Sequence, residues 1–99
     1  MWGFFNKNKS SKIKDYVEQD ATLLDVRTAS EYNSDHIEGS INIPVQGIDA
    51  QMDKLDKNKP IVVYCAMGGR SGIAASKLKR NGFKVVNAQS IRNMRKNLK

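Results

Sequence analysis

Apolar residues come in short bursts along this chain, and their spacing alternates between two periods. Ile13, Tyr16 and Val17 share one helical face, behind Ser10 or Ser11 as a possible cap. Leu23-Leu24-Asp25-Val26 reads as a buried strand ending at Asp25 or Val26. Thr28 or Ser30 can cap a helical turn through Glu31-Tyr32, and Ile41-Asn42-Ile43 reads as a brief strand that Pro44 stops. Ile48, Met52 and Leu55 stand at i, i+4 and i+7, one face of a short helix. Ile61-Val62-Val63-Tyr64 is the strongest strand signal: apolar, β-branched and uncharged. Ser71 to Lys79 predicts a helix with Ile73, Ala74 and Leu78 inward, closed by Asn81 and a left-handed Gly82. Lys84 to Asn87 predicts a last strand, and Ser90 to Lys99 a basic, largely solvated helix.

Strands and helices alternate throughout. The expected fold class is therefore α/β, with a central parallel sheet and helices on both faces. In such sheets ligands bind beyond the carboxyl ends of the strands. Cys65 stands directly after the best strand.

Composition narrows the options. A chain of 99 residues with 27% charged and 39% hydrophobic residues fits one compact domain. The expected boundaries are residues 10–99, with 1–9 a flexible leading segment. One cysteine and one histidine exclude an internal disulfide and argue against an all-protein zinc site. A reducing, cytoplasmic setting is expected. The net charge of +7 is scattered, with denser runs at Lys7–Lys14 and Arg92–Lys99. This favours a soluble surface that attracts small anions over a nucleic-acid interface. No stretch reaches the ~20 apolar residues of a membrane span. Trp2-Gly3-Phe4-Phe5 is too short for a signal core, and membrane contact by this start is not expected. A monomer is expected.

The candidate chemistry lies in Tyr64-Cys65-Ala66-Met67-Gly68-Gly69-Arg70-Ser71. A free cysteine at a strand end is ordinarily a small buried hydrophobe. Here two glycines and an arginine follow it before a helix starts near Ser71. Gly68 and Gly69 would let the loop fold tightly, so that its N–H groups converge on one point. The helix dipole and Arg70 would add positive potential there. Such surroundings lower a thiol's pKa from about 8.5 to roughly 3.5–7.5 and make it a nucleophile.

Three blocks carry a resemblance: Leu24-Asp25-Val26-Arg27 with Glu31-Tyr32; His36-Ile37-Glu38-Gly39-Ser40-Ile41-Asn42-Ile43-Pro44; and Ile61 to Cys65 with Gly68-Gly69-Arg70-Ser71. In order and spacing the chain resembles a single-domain rhodanese, a sulfurtransferase, and is most similar to the short phage-shock type. The resemblance implies that Cys65 takes the outer sulfur of an anionic donor such as thiosulfate as a persulfide. Cyanide, a thiol or a protein acceptor then removes it, and no metal or organic cofactor takes part. It assigns Ala66, Met67, Gly68, Gly69, Arg70 and Ser71 to the persulfide-holding loop, with Arg70 drawing in the donor and Met67 at the pocket mouth. It places Asp25, Arg27 and His36 in a supporting network, His36 in a structural role.

Cysteine phosphatases use a related loop with five residues between cysteine and arginine. Four separate Cys65 from Arg70 here, a narrower cradle that suits sulfur better than phosphate. The alternatives are a non-catalytic rhodanese-like binding module and, further off, a cysteine phosphatase or arsenate reductase. One departure stands out: many rhodaneses carry a glycine pair and an aromatic after the last strand, whereas this chain reads Asn87-Ala88-Gln89-Ser90-Ile91.

Overall fold

A computed structural model describes residues 9–99, so the reading of Trp2 to Phe5 and of a flexible start lies outside the described residues except for Lys9. Four strands form one sheet: β1 (Thr22–Asp25), β2 (Ile41–Asn42), β3 (Ile61–Cys65) and β4 (Val85–Ser90). All neighbours are parallel, in the order β2-β1-β3-β4. The helices are α1 (Lys9–Glu18), α2 (Ala29–Ser34), α3 (Ile48–Gln51), α4 (Gly69–Arg80) and α5 (Ile91–Asn97).

The alternation of side chains along β3 builds two cores. Ile61, Val63 and Cys65 face Ile48 of α3 and Ala74, Ala75 and Leu78 of α4. Val62 and Tyr64 face Ile13 and Tyr16 of α1 and Met94 of α5. All five residues of β3 are buried, as a strand covered on both faces requires. Each large aliphatic side chain so buried contributes about 1.5–3 kcal/mol. The chain runs from β1 to β2 on one side and then crosses to β3 on the other. That reversal opens a crevice at the carboxyl ends of β1 and β3, where Asp25 and Cys65 end their strands.

Thr28 caps α2 as expected, and Gly82 adopts φ +91° after α4. Four local expectations are corrected. Ser10 and Ser11 lie inside α1, which is already helical at Lys9. The inner stripe of α4 is Ser71, Ala74, Ala75 and Leu78, a strict i, i+3, i+4, i+7 set, and it leaves Ile73 55% exposed. β4 continues three residues past Asn87 because a bulge absorbs Ala88, so that Tyr64 pairs with Gln89 and Cys65 with Ser90. The last helix is amphipathic rather than solvated: Met94 and Asn97 are buried, and Ser90 caps it by accepting from Asn93 N at 3.0 Å.

Candidate active site

Cys65 is 1% exposed and directs its sulfur into the turn that joins β3 to α4. Gly68 makes that turn with φ +118°, a backbone state that costs an L-residue roughly 1–2 kcal/mol. The turn carries Gly68 N to 2.9 Å from Sγ, and the hydroxyl of Ser71 lies 3.4 Å away. Burial pushes the thiol pKa up. Hydrogen bonding by the Ser71 side chain and by the N–H groups of Ser71, Gly68 and Met67 outweighs it, so the pKa lies below the ordinary thiol value. The N-terminal end of α4 adds a dipole of the same sense. Gly69 does not share the role expected of both glycines. It has no positive φ, and a Cβ there would meet open space.

Arg70 is engaged elsewhere than expected. Its Nη1 and Nη2 donate to Glu31 Oε1 at 2.7 Å and Oε2 at 3.1 Å. Glu31 sits in the first turn of α2, where its backbone N donates to Thr28 Oγ1 at 3.1 Å and its carboxylate accepts from Thr28 N at 2.9 Å. The Arg70 guanidinium, helped by the Thr28 N–H, holds the Glu31 carboxyl down at about 2. The same bond raises the Arg70 pKa. The pair thus clips the sulfur-holding turn to the start of α2, and the sulfur's own hydrogen bonds are made with N–H groups and the Ser71 hydroxyl. From the sequence Glu31 was visible only as part of a helical turn and of one family block, because its partner lies 39 positions away.

Asp25 and Arg27 form the supporting network. The fully buried Asp25 carboxylate accepts from Arg27 N at 2.9 Å, from Nε at 3.0 Å to each oxygen, and from Nη2 at 2.7 Å. Arg27 Nη2 also donates to the Asp35 carbonyl at 2.5 Å. Asn42 joins by donating to the carbonyls of Asp25 and Arg27 at 3.0 and 2.9 Å. His36 stands apart from this network. It is exposed, stacks on Tyr32 with ring centroids 3.8 Å apart, and places Nδ1 2.7 Å from the Tyr32 carbonyl.

The rim holds Ala66, which is half-buried, and Met67, which is 89% exposed. Opposite them stands Gln89, a non-glycine residue at φ +73° in the segment that departs from the expected glycine pair. Asn87 Oδ1 accepts from Gln89 N at 2.8 Å, and the Gln89 carbonyl accepts from Ser71 Oγ at 3.3 Å. A Cβ on Gly68 would lie 3.5 Å from Gln89 Cβ, so Gln89 packs directly against the turn.

This geometry is a buried, acidified thiol in a ring of N–H donors at a switch point of a parallel sheet. The rhodanese-like domain pattern matches residues 10–94. The chain belongs to the rhodanese-like domain family. It is 39% identical over 76 residues to a putative sulfur carrier protein, YrkF, of Bacillus subtilis, covering 75% of this chain and 41% of that protein. It is 39% identical over 72 residues to a tRNA sulfurtransferase of Thermoplasma acidophilum, covering 72% of this chain and 14% of that protein. The rhodanese-like chain thus spans less than half the length of these relatives. Among solved structures it is similar to a rhodanese-related protein of Thermoplasma volcanium, with TM-score 0.71, 30% identity and coverage of 82% of this chain and 79% of that one. It is also similar to a rhodanese from E. coli solved with anions, with TM-score 0.69, 33% identity and coverage of 74% and 89%. The resemblance read from the sequence therefore holds at the level of the family.

Proposed function

We propose that this rhodanese-like chain is a sulfurtransferase that carries sulfane sulfur on Cys65. The observation that carries the reading is the Cys65 sulfur itself, buried yet acidified by the turn that follows it. The Cys65 thiolate attacks the outer sulfur of a donor such as thiosulfate. The donor's S–S bond breaks, sulfite leaves with the electron pair, and Cys65 becomes a persulfide. An acceptor thiolate, or cyanide, then attacks the terminal sulfur, and Cys65 is released as thiolate. The N–H groups of Met67, Gly68 and Ser71 face the negative charge in each form. Arg70, clipped to Glu31, positions this turn while leaving some positive potential for the donor. Similarity to a thiosulfate sulfurtransferase of Coxiella burnetii, 33% identical over 69 residues, supports thiosulfate as donor. A single free cysteine fits a reducing compartment, and the cytoplasm is the proposed setting. The short phage-shock type stays the proposed subtype, on the three sequence blocks alone.

Mass spectrometry after thiosulfate treatment tests this. Wild type should gain one sulfur atom on Cys65 and release thiocyanate with cyanide, and Cys65→Ser should do neither. Equal turnover by the two proteins would overturn it.

A further inference from the structure

Beside the sulfur, on the other face of the sheet, lies a surface that the sulfur chemistry does not use. Cys65 pairs with Ser90, so α5 leaves the sheet one residue beyond the neighbour of the nucleophile. Neighbouring strands lie about 4.8 Å apart, which puts the start of α5 at the edge of the crevice. A groove of about 410 Å³ runs along this helix, lined by Ile91, Arg92, Arg95, Lys96 and Lys99. Arg95 pairs with Asp35 at 2.6 Å. Arg92, Lys96 and Lys99 pair with no carboxylate among the described residues, and α5 itself contains no acid.

We infer that this groove docks an acidic protein segment that brings the acceptor thiol to Cys65. The inference rests on the sulfur-carrier reading above and names its acceptor. The charges argue it first. Like charges held together along one short helix raise the energy of the free protein, and a polyanionic partner relieves that repulsion. The lining argues for protein over nucleic acid. Among the described residues no aromatic side chain lines the groove to stack a base, whereas half-buried Ile91 offers an apolar seat between the cations. The location argues for an acceptor rather than the donor. A small anion needs only the N–H ring around Cys65, while a macromolecular thiol needs contacts outside the buried site to orient it.

The experiment uses the full chain with two fluorescent peptides, one a short glutamate-rich sequence containing one cysteine, the other with glutamines in place of the glutamates. The glutamate peptide should bind about tenfold tighter at low salt, equivalent to about 1.4 kcal/mol, and lose that advantage as salt rises. It should also accept sulfur from Cys65 persulfide correspondingly faster. Arg92→Glu with Lys96→Glu should abolish the preference while thiosulfate loading and transfer to a small thiol stay within twofold. Arg92→Gln with Lys96→Gln serves the same purpose if charge reversal impairs folding. Equal binding of the two peptides, or a preference that survives both double variants, would overturn the inference. So would a groove that binds RNA with the same salt dependence and shows no preference for the glutamate peptide. A chain that binds the glutamate peptide through α5 but never loads sulfur keeps this docking surface and overturns the sulfur-carrier reading instead.

Discussion

Replacing Ser71 with alanine isolates the side-chain contribution to the acidity of Cys65. The Ser71 hydroxyl is fully buried, stands 3.4 Å from Sγ, and also reaches the Gly68 and Gln89 carbonyls at 3.1 and 3.3 Å. A hydrogen bond to a charged group is worth about 1.5–3 kcal/mol, and the long contact to sulfur places this one at the low end. About 1.4 kcal/mol corresponds to about one pKa unit. The neutral thiol donates to the Ser71 hydroxyl; once ionised, the sulfur accepts from that hydroxyl instead, so Ser71→Ala takes a donor from the thiolate and raises the Cys65 pKa by about one unit. Below both pKa values the thiolate population then falls about tenfold. A more basic thiolate is intrinsically more nucleophilic, with a Brønsted slope of about 0.4–0.5, so the net loss in alkylation rate at a pH below both midpoints is about threefold. The assay is the pH dependence of iodoacetamide alkylation, read by its midpoint. Stability follows the same linkage. A lowered thiol pKa contributes stability that is complete above the ordinary thiol range and lost as pH falls through the folded-state value. The variant's stability should therefore change less between neutral pH and about pH 9. Gly72 N still donates to the Gly68 carbonyl at 3.0 Å, which limits the general loss of stability to about 1 kcal/mol. An unchanged or lowered alkylation midpoint would refute the assignment of Ser71 as a donor to the sulfur.

Glu31→Gln removes the clip between α2 and the turn. Because the Arg70 and Glu31 side chains are each 35% exposed, the cost should be about 1 kcal/mol, as for a screened pair. Glu31 has a depressed pKa of about 2, so its contribution is complete above the ordinary carboxylate range and vanishes as pH falls through about 2. Urea melts of the two proteins should accordingly converge toward that pH. Gln89→Gly relieves a left-handed non-glycine residue, for which roughly 1–2 kcal/mol of strain is set against about 0.5–1 kcal/mol of added chain entropy. Thermal unfolding should show stabilisation of up to about 1 kcal/mol, and a clear loss would refute the strain argument. Asp25→Asn leaves the buried Arg27 without its countercharge and should cost about 3–5 kcal/mol in urea titration.

What could be read in advance follows from what is local. The β-branched run of β3 and the cysteine after it are contiguous, and a strand buried on both faces has a signature of its own. Thr28 and Gly82 act through neighbours within a turn, so their roles were legible too. The phase of α4 was misread because Ser71, a polar residue, holds a buried position in the stripe, and Ile73 was given its place. Arg70 was legible as a cation close to Cys65, whereas its pairing with Glu31 is set only by the fold. His36 was grouped with Asp25 and Arg27 by motif, yet it is Asp35, one residue earlier, whose carbonyl meets Arg27. Gln89 marks the limit of composition-based reading. The segment lacks the family's glycine pair, yet Gln89 is left-handed, and the side chain of Asn87 accepts from the Gln89 N–H in that conformation.

The alternation along β3 has a consequence for the integrity of the folded population. Tyr64 and Cys65 point to opposite faces, so sliding β3 by a single residue would put the phenol where the sulfur belongs and turn the sulfur toward α1 and α5. Register is thus not a matter of degree here. A slipped molecule has no weakened activity to show; it has an ordinary thiol on the wrong side of the sheet. Counting fast-reacting thiols in a preparation therefore counts the molecules whose central strand is seated in register.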